Sequence, residues 1–184
     1  MLKSMKKIDR AYKRARSKTM RAAALLLVLP ATFTITLWPN SRELTGDFEA
    51  IFLDVGQGDS VLICADGKAV LVDAGGLPGD STLMAEQVVI PYIKSLGLDH
   101  LDMVFNTHPD NDHIGGLFAV LDELPVTELA VFDGYEDNQK QQQLIQLAET
   151  KQVPVNAVAA GDVFQFSDKF SVEVIAPEAE KTFG

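Results

Sequence analysis

The chain has 184 residues, 47% of them hydrophobic, which is ordinary for a folded protein and long enough for one globular domain, or one domain with an appendage. Its net charge of -10 is unevenly placed: residues 1–21 carry nine Lys or Arg against Asp9 alone, and removing these from the totals of 16 and 26 leaves seven basic and 25 acidic residues in 22–184. A single cysteine, Cys64, excludes an intramolecular disulfide framework and a cysteine zinc knuckle, and the acidic body excludes a surface that coats nucleic acid through bulk positive charge.

The basic head at 1–21 leads into "AAALLLVLPATFTITLW", residues 22–38, a run of 17 residues without a charge. That is the lower limit for a helix spanning a hydrocarbon core of about 30 Å. Positive charge before an apolar run keeps the head in the cytoplasm and sends the body across the membrane. No A-x-A-like cleavage site follows, so the sequence predicts a single-pass anchor, with a cleaved signal segment and a secreted body as the alternative. "PNSRELTGD", 39–47, is polar and turn-rich and reads as a linker.

Beyond it, "FEAIFLDV" (48–55), "SVLICA" (60–65) and "AVLVDAGG" (69–76) are strand-like runs joined by the turn signals "GQGD" and "ADGK". Cys64 lies inside the second run and is expected as a buried structural thiol. "STLMAEQVVIPYIKSLG" (81–97) has helical spacing, with Ser81 as a cap, Pro91 as a divider and Gly97 as a stop. "LDMVFNT" (101–107) is a buried strand, "GGLFAVLDEL" (115–124) a short helix, "TELAVFD" (127–133) a strand and 138–151 a helix. Further strands are expected near 153–158, 162–166 and 170–175. Antiparallel strands followed by alternating helices and strands predict an α/β fold of mixed sheets flanked by helices.

Two of the three histidines fall within "THPDNDHIGG", residues 107–116, between a predicted strand and a predicted helix. His108, Asp110, Asp112 and His113 offer two imidazoles and two carboxylates, donors suited to a divalent ion of borderline or hard character. In an extended loop, residues 108, 110 and 112 would project to one side and His113 to another, so that one short loop could serve two adjacent ions. Gly115 and Gly116 allow a sharp turn into the following helix, whose first amides favour an anion. His100, outside the loop, is expected as a surface histidine.

Together "FLDVGQGDS" (52–60), "LVDAGG" (71–76), "VIPYIKSLGLDHLDMV" (89–104) and "THPDNDHIGG" resemble the metallo-β-lactamase superfamily, and within it the ComEC-like branch of extracytoplasmic hydrolase domains. The resemblance implies an αββα sandwich holding one or two divalent ions, zinc or manganese, in a cleft between its sheets. By that resemblance His108 is the first metal ligand, and Asp110 stands where many members carry a second histidine. Asp112 and His113 match the pair that binds a second ion and positions the attacking water, which makes Asp112 the catalytic candidate. Asp73 matches the acidic residue that supports the metal loop from behind and fixes ligand orientation. Asp54 and Asp59 sit in the branch's glycine-rich turn as possible site-lining residues, with a turn cap as the other role for Asp59.

Members of the family continue beyond the point matching this chain's last residues, and their later half supplies a further metal-binding residue. No histidine follows His113 here, so the domain at 48–184 is expected to be truncated at its C-terminus. The expectation is a membrane-tethered, extracytoplasmic metal-dependent hydrolase acting on a phosphodiester such as single-stranded DNA, in the setting of competence and DNA uptake. The alternatives are a hydrolase of another ester or lactam, and a non-catalytic truncated relative serving as a binding module.

Overall fold

In the computed structural model, residues 47–177 are described; the basic head, the apolar segment at 22–38, the linker as far as residue 46 and residues 178–184 lie outside the described residues. Among the described residues no helix is long and apolar enough to cross a membrane. The three leading runs form β1 (Phe48–Phe52), β2 (Val61–Ala65) and β3 (Lys68–Val72), paired antiparallel in sequence order. β4 (Met103–Asn106), β5 (Leu129–Phe132) and β6 (Val155–Val158) then add in parallel, giving one six-stranded mixed sheet in the order β1 to β6.

Parallel neighbours need a crossover, and the helical segments supply them. A π-helical turn (Ala85–Val89) running into α1 (Ile90–Ser95) links β3 to β4. α2 (Asn111–Ile114) and α3 (Leu117–Glu123) link β4 to β5, and α4 (Gln139–Thr150) links β5 to β6. Pro91 does not divide its helix as the sequence predicts. Proline has no N–H to donate and its ring crowds the carbonyl four residues back. The helix answers by widening ahead of it: Ile90 N–H donates to Ala85 O, five residues away.

Period-two alternation assigns the two faces of the sheet. Leu71, Val104, Leu129 and Val131 point into a core with Val89, Ile93, Leu117, Val120 and Leu144 from the helical segments. Val70, Met103, Phe105 and Ala130 point the other way. There they meet Phe164, Phe166, Phe170 and Val172, carried by a hairpin of β7 (Val163–Gln165) and β8 (Ser171–Glu173) and the turn between them. With both faces covered, β4 and β5 are buried at every position. Helices, sheet and a second, two-stranded sheet are therefore present; the outer helical layer of an αββα sandwich is not found among the described residues. Cys64 is buried as expected, and burial, helped by nearby Glu49, pushes its thiol up to about 11.

Candidate metal centre

β3 and β4 are adjacent and parallel, so their C-terminal ends bring Asp73 and the loop after Asn106 to the same edge of the sheet. Crevices beyond the carboxyl ends of parallel strands are where open α/β sheets place their sites. Asp73 turns the chain out of β3 with a φ of 53°, a left-handed conformation that Asp adopts more readily than most side chains. Its N–H continues the ladder to Phe105 O (2.9 Å), and its own carbonyl accepts from buried Ser60 Oγ (3.1 Å).

The Asp73 carboxylate organises the whole loop. Oδ1 accepts from Thr107 N (2.9 Å) and Asn106 Nδ2 (3.2 Å), while Oδ2 accepts from Thr107 Oγ1 (2.5 Å) and lies 2.9 Å from His113 Nδ1. An ionised carboxylate only accepts, so His113 carries a proton on Nδ1, and the neutral ring then presents Nε2 as a lone pair. The same accounting reaches His108. The single hydroxyl proton of Thr107 is committed to Asp73, so across the 3.0 Å contact it is His108 Nδ1 that donates to Thr107 Oγ1. Both imidazoles are thus held in the tautomer that offers Nε2.

The two rings lie side by side at 3.9 Å between centroids, with their planes tilted by 46°. His108 Nε2 stands 3.6 Å from Asp110 Oδ2, and His113 Nε2 stands 3.9 Å from Asp112 Oδ2. Both are too long for hydrogen bonds. They are close to the spacing of donors sharing an ion, since two atoms bound about 2.0–2.1 Å from one zinc sit roughly 3.3 Å apart at the tetrahedral angle. Side-chain exposure rises outward from 1% at Asp73 through 13% at His113 and 33% at His108 to 46% at Asp112 and 76% at Asp110. Asp73, His108 and His113 also bring one ligand-type atom each within 4.8 Å of one another. Because both Asp73 oxygens are occupied by Asn106, Thr107 and His113, its position fits orientation of the imidazoles, and the free Nε2 atoms with Asp110 and Asp112 fit a divalent ion.

The loop is not extended throughout, as the sequence predicts, because a helical turn begins at Asn111. That turn folds His113 back beside His108 instead of splaying the two apart. Asp110 occupies the N-cap position yet makes no side-chain capping bond, which leaves its carboxylate free. The glycine-rich motifs meet around this loop. At Gly58, with φ 82°, an added Cβ would lie 1.7 Å from Asp112 O, and at Gly116 one would lie 2.2 Å from Ala74 O, so only glycine permits either approach. Asp54 Oδ1 closes its own turn by accepting from Gly56 N (3.3 Å), and Asp59 O accepts from Gly75 N (3.0 Å). Both carboxylates are exposed, and among the described residues neither forms an ion pair with a histidine. His100 lies on the surface as expected; its hydrogen bond to Asp99 raises its pKa despite slight desolvation.

Sequence reasoning assigned no role to Asn106 or Thr107. Asn106 Nδ2 bridges Asp73 Oδ1 and His108 O (2.8 Å), fixing the start of the loop. Asn111 was likewise passed over, although its Nδ2 donates to Leu77 O (3.0 Å) and its Oδ1 accepts from Lys140 Nζ (3.0 Å). Their only signal in the sequence is adjacency to the histidine window.

Residues 53–153 match the family model of the metallo-beta-lactamase superfamily. ComE operon protein 3 of Bacillus subtilis (strain 168) is 32% identical over 148 residues, which is 74% of this chain and 19% of that protein. Recombination protein 2 of Haemophilus influenzae is 34% identical over 117 residues, covering 64% of this chain and 14% of its own length. Competence protein ComA of Neisseria gonorrhoeae is 31% identical over 109 residues, covering 53% and 15%. The chain therefore spans less than a fifth of the length of each of these relatives.

Proposed function

The chain belongs to the metallo-beta-lactamase superfamily, and from that premise we propose that it is a metal-dependent phosphodiesterase or nuclease of the ComEC-like type, tethered to the membrane through residues 22–38 with its catalytic domain extracytoplasmic. The observation that carries this reading is the pair of adjacent imidazoles whose Nδ1 atoms face Thr107 Oγ1 and the buried Asp73 carboxylate, which leaves both Nε2 atoms for an ion. His108, Asp110, Asp112 and His113 hold one or two divalent ions, zinc or manganese. Such an ion supplies Lewis acidity to the substrate oxygen and lowers the pKa of water toward neutrality. Asp112, half exposed beside His113, orients the attacking water and takes its proton. Asp73, Thr107 and Asn106 keep the ligand geometry fixed while the reaction proceeds. The relatives named for competence and recombination support a nucleic-acid substrate, most simply single-stranded DNA.

The test is metal content by elemental analysis of the folded protein after exposure to zinc or manganese, beside a His108→Ala/Asp112→Ala control, followed by turnover of bis(p-nitrophenyl) phosphate. The expected result is bound metal and phosphodiester hydrolysis in the wild type and neither in the control. A folded wild type that binds no more metal than the control overturns the proposal.

A further inference from the structure

We infer that Lys140 selects an anionic substrate by gripping a phosphate oxygen of a polynucleotide strand laid in the cleft beside Asp112; this rests on the phosphodiesterase reading above. The cleft, of about 600 Å³, is lined by Gln57, Leu77, Ser81, Asn111, Asp112 and Lys140 among others, so it opens directly off the candidate metal loop. That volume lies within the range that holds a drug-sized ligand.

Charge accounting singles the lysine out. Residues 47–177 contain five lysines and no arginine. Lys68, Lys94 and Lys151 are paired with Asp102, Glu123 and Asp122. Lys169 borders a different cavity, together with Asp47 and Asp66. Lys140 is held by a neutral group instead: its Nζ donates to Asn111 Oδ1 at 3.0 Å, and Asn111 is fixed in turn on Leu77 O. An ammonium has three N–H donors, so two remain for a ligand, and no described carboxylate pairs with its charge.

Helix stability does not explain a cation at this position. Lys140 is in the first turn of α4, where its N–H donates to the capping Asn138 side chain and where the first turn holds no acidic residue. A positive charge at a helix N-terminus opposes the macrodipole. The position is unfavourable for the helix and suited to an anion in the cleft. In a strongly acidic domain, a lone unneutralised cation beside the reacting centre is also the simplest means of admitting a polyanion.

The experiment is fluorescence anisotropy with the full chain in detergent, using labelled tetrathymidylate and its uncharged methylphosphonate counterpart across a salt series, in metal-free and zinc-loaded protein. Wild type is expected to favour the anionic probe, and Lys140→Gln to bind it about tenfold more weakly with the neutral probe unchanged. The slope of log affinity against log salt should fall by about 0.7, the value of one lost phosphate contact on a single strand. Lys140→Arg should restore both, and the thermal midpoint of Lys140→Gln should not fall. A Lys140→Gln protein that keeps the wild-type slope and preference overturns this inference while leaving the hydrolase reading intact. A wild type that binds metal yet ignores probe charge overturns it through the substrate class, whereas failure of the hydrolase reading itself appears separately as absent metal.

Discussion

The two ends of the β3–β4 pair are each held by one aspartate, Asp73 buried and Asp102 half-buried, and they differ in what neutralises it. At the start of the pair, Asp102 accepts from Ala69 N (2.8 Å) and from Lys68 Nζ (2.9 Å), so a cation supplied by the chain balances the carboxylate. At the far end Asp73 accepts from Thr107, Asn106 and His113, all of them neutral when the histidine keeps Nε2 unprotonated. Both aspartates fasten the same two strands. Only the Asp73 end lacks a fixed positive charge, and it is there that two imidazole nitrogens and two further carboxylates converge. The arrangement at Asp102 is complete in itself, whereas the one at Asp73 would be electrostatically completed by a divalent ion.

The sharpest way to break this contrast is Asp73→Asn. The amide keeps the shape, but it must turn either its oxygen or its NH₂ toward His113 Nδ1. If the NH₂ faces the ring, Nδ1 becomes the acceptor and the proton moves to Nε2, closing the metal-binding position. Metal affinity, measured by competition with a chelating dye, should fall by about 100-fold, the upper end of what outer-layer partners contribute. Unfolding in urea should show a loss of about 1–3 kcal/mol from the disturbed buried bonds. Unchanged zinc affinity in this variant would mean that Asp73 has only a structural role, like Asp102.

Thr107→Val is the next test, because the hydroxyl is the relay between Asp73 and His108. Removing it leaves the Asp73–His113 bond in place and frees only the His108 tautomer. Metal affinity is expected to fall by about tenfold, with a stability loss of about 1 kcal/mol. An effect as large as that of Asp73→Asn would show that the two histidines are not held independently.

How far the contrast was legible in the sequence depends on how far apart its parts lie along the chain. His108, Asp110, Asp112 and His113 stand in one short window, so their chemistry and spacing are visible without a structure. Asp73 is visible because a charge at the end of an apolar strand before two glycines is unusual, and the resemblance supplies its role. Thr107 and Asn106 are not, because a hydroxyl and an amide after a strand are common, and what they do is set by β3 lying beside β4 at a separation of 33 or 34 residues. The Lys140–Asn111 contact, 29 residues apart, is hidden for the same reason. Among the strands, 162–166 and 170–175 were recognisable by composition, but their pairing with each other as a second layer needed the packing of Phe164, Phe166 and Phe170 against the sheet.

Asp102→Asn probes the self-contained end and should have the smallest effect. Burial opposes ionisation of Asp102, but the Lys68 ammonium and the Ala69 N–H outweigh it and hold the carboxyl below its usual range, with His100 adding a little. A depressed folded-state pKa contributes stability that is present above the unfolded value, about 3.9, and is lost as pH falls through the folded value. The amide still accepts from Ala69 N but no longer pairs with Lys68, which is itself partly exposed, so the cost near neutrality is about 1 kcal/mol. Urea midpoints of wild type and variant should therefore differ at pH 7 and converge below about pH 4. Lys68, Asp99 and His100 are charged or titratable neighbours at this end, so a His100→Gln background removes the imidazole whose pKa the Asp99 hydrogen bond raises. Zinc affinity should be unchanged throughout. If Asp102→Asn weakens metal binding, strain passes along the strand pair from one end to the other, and the two aspartates act as one device.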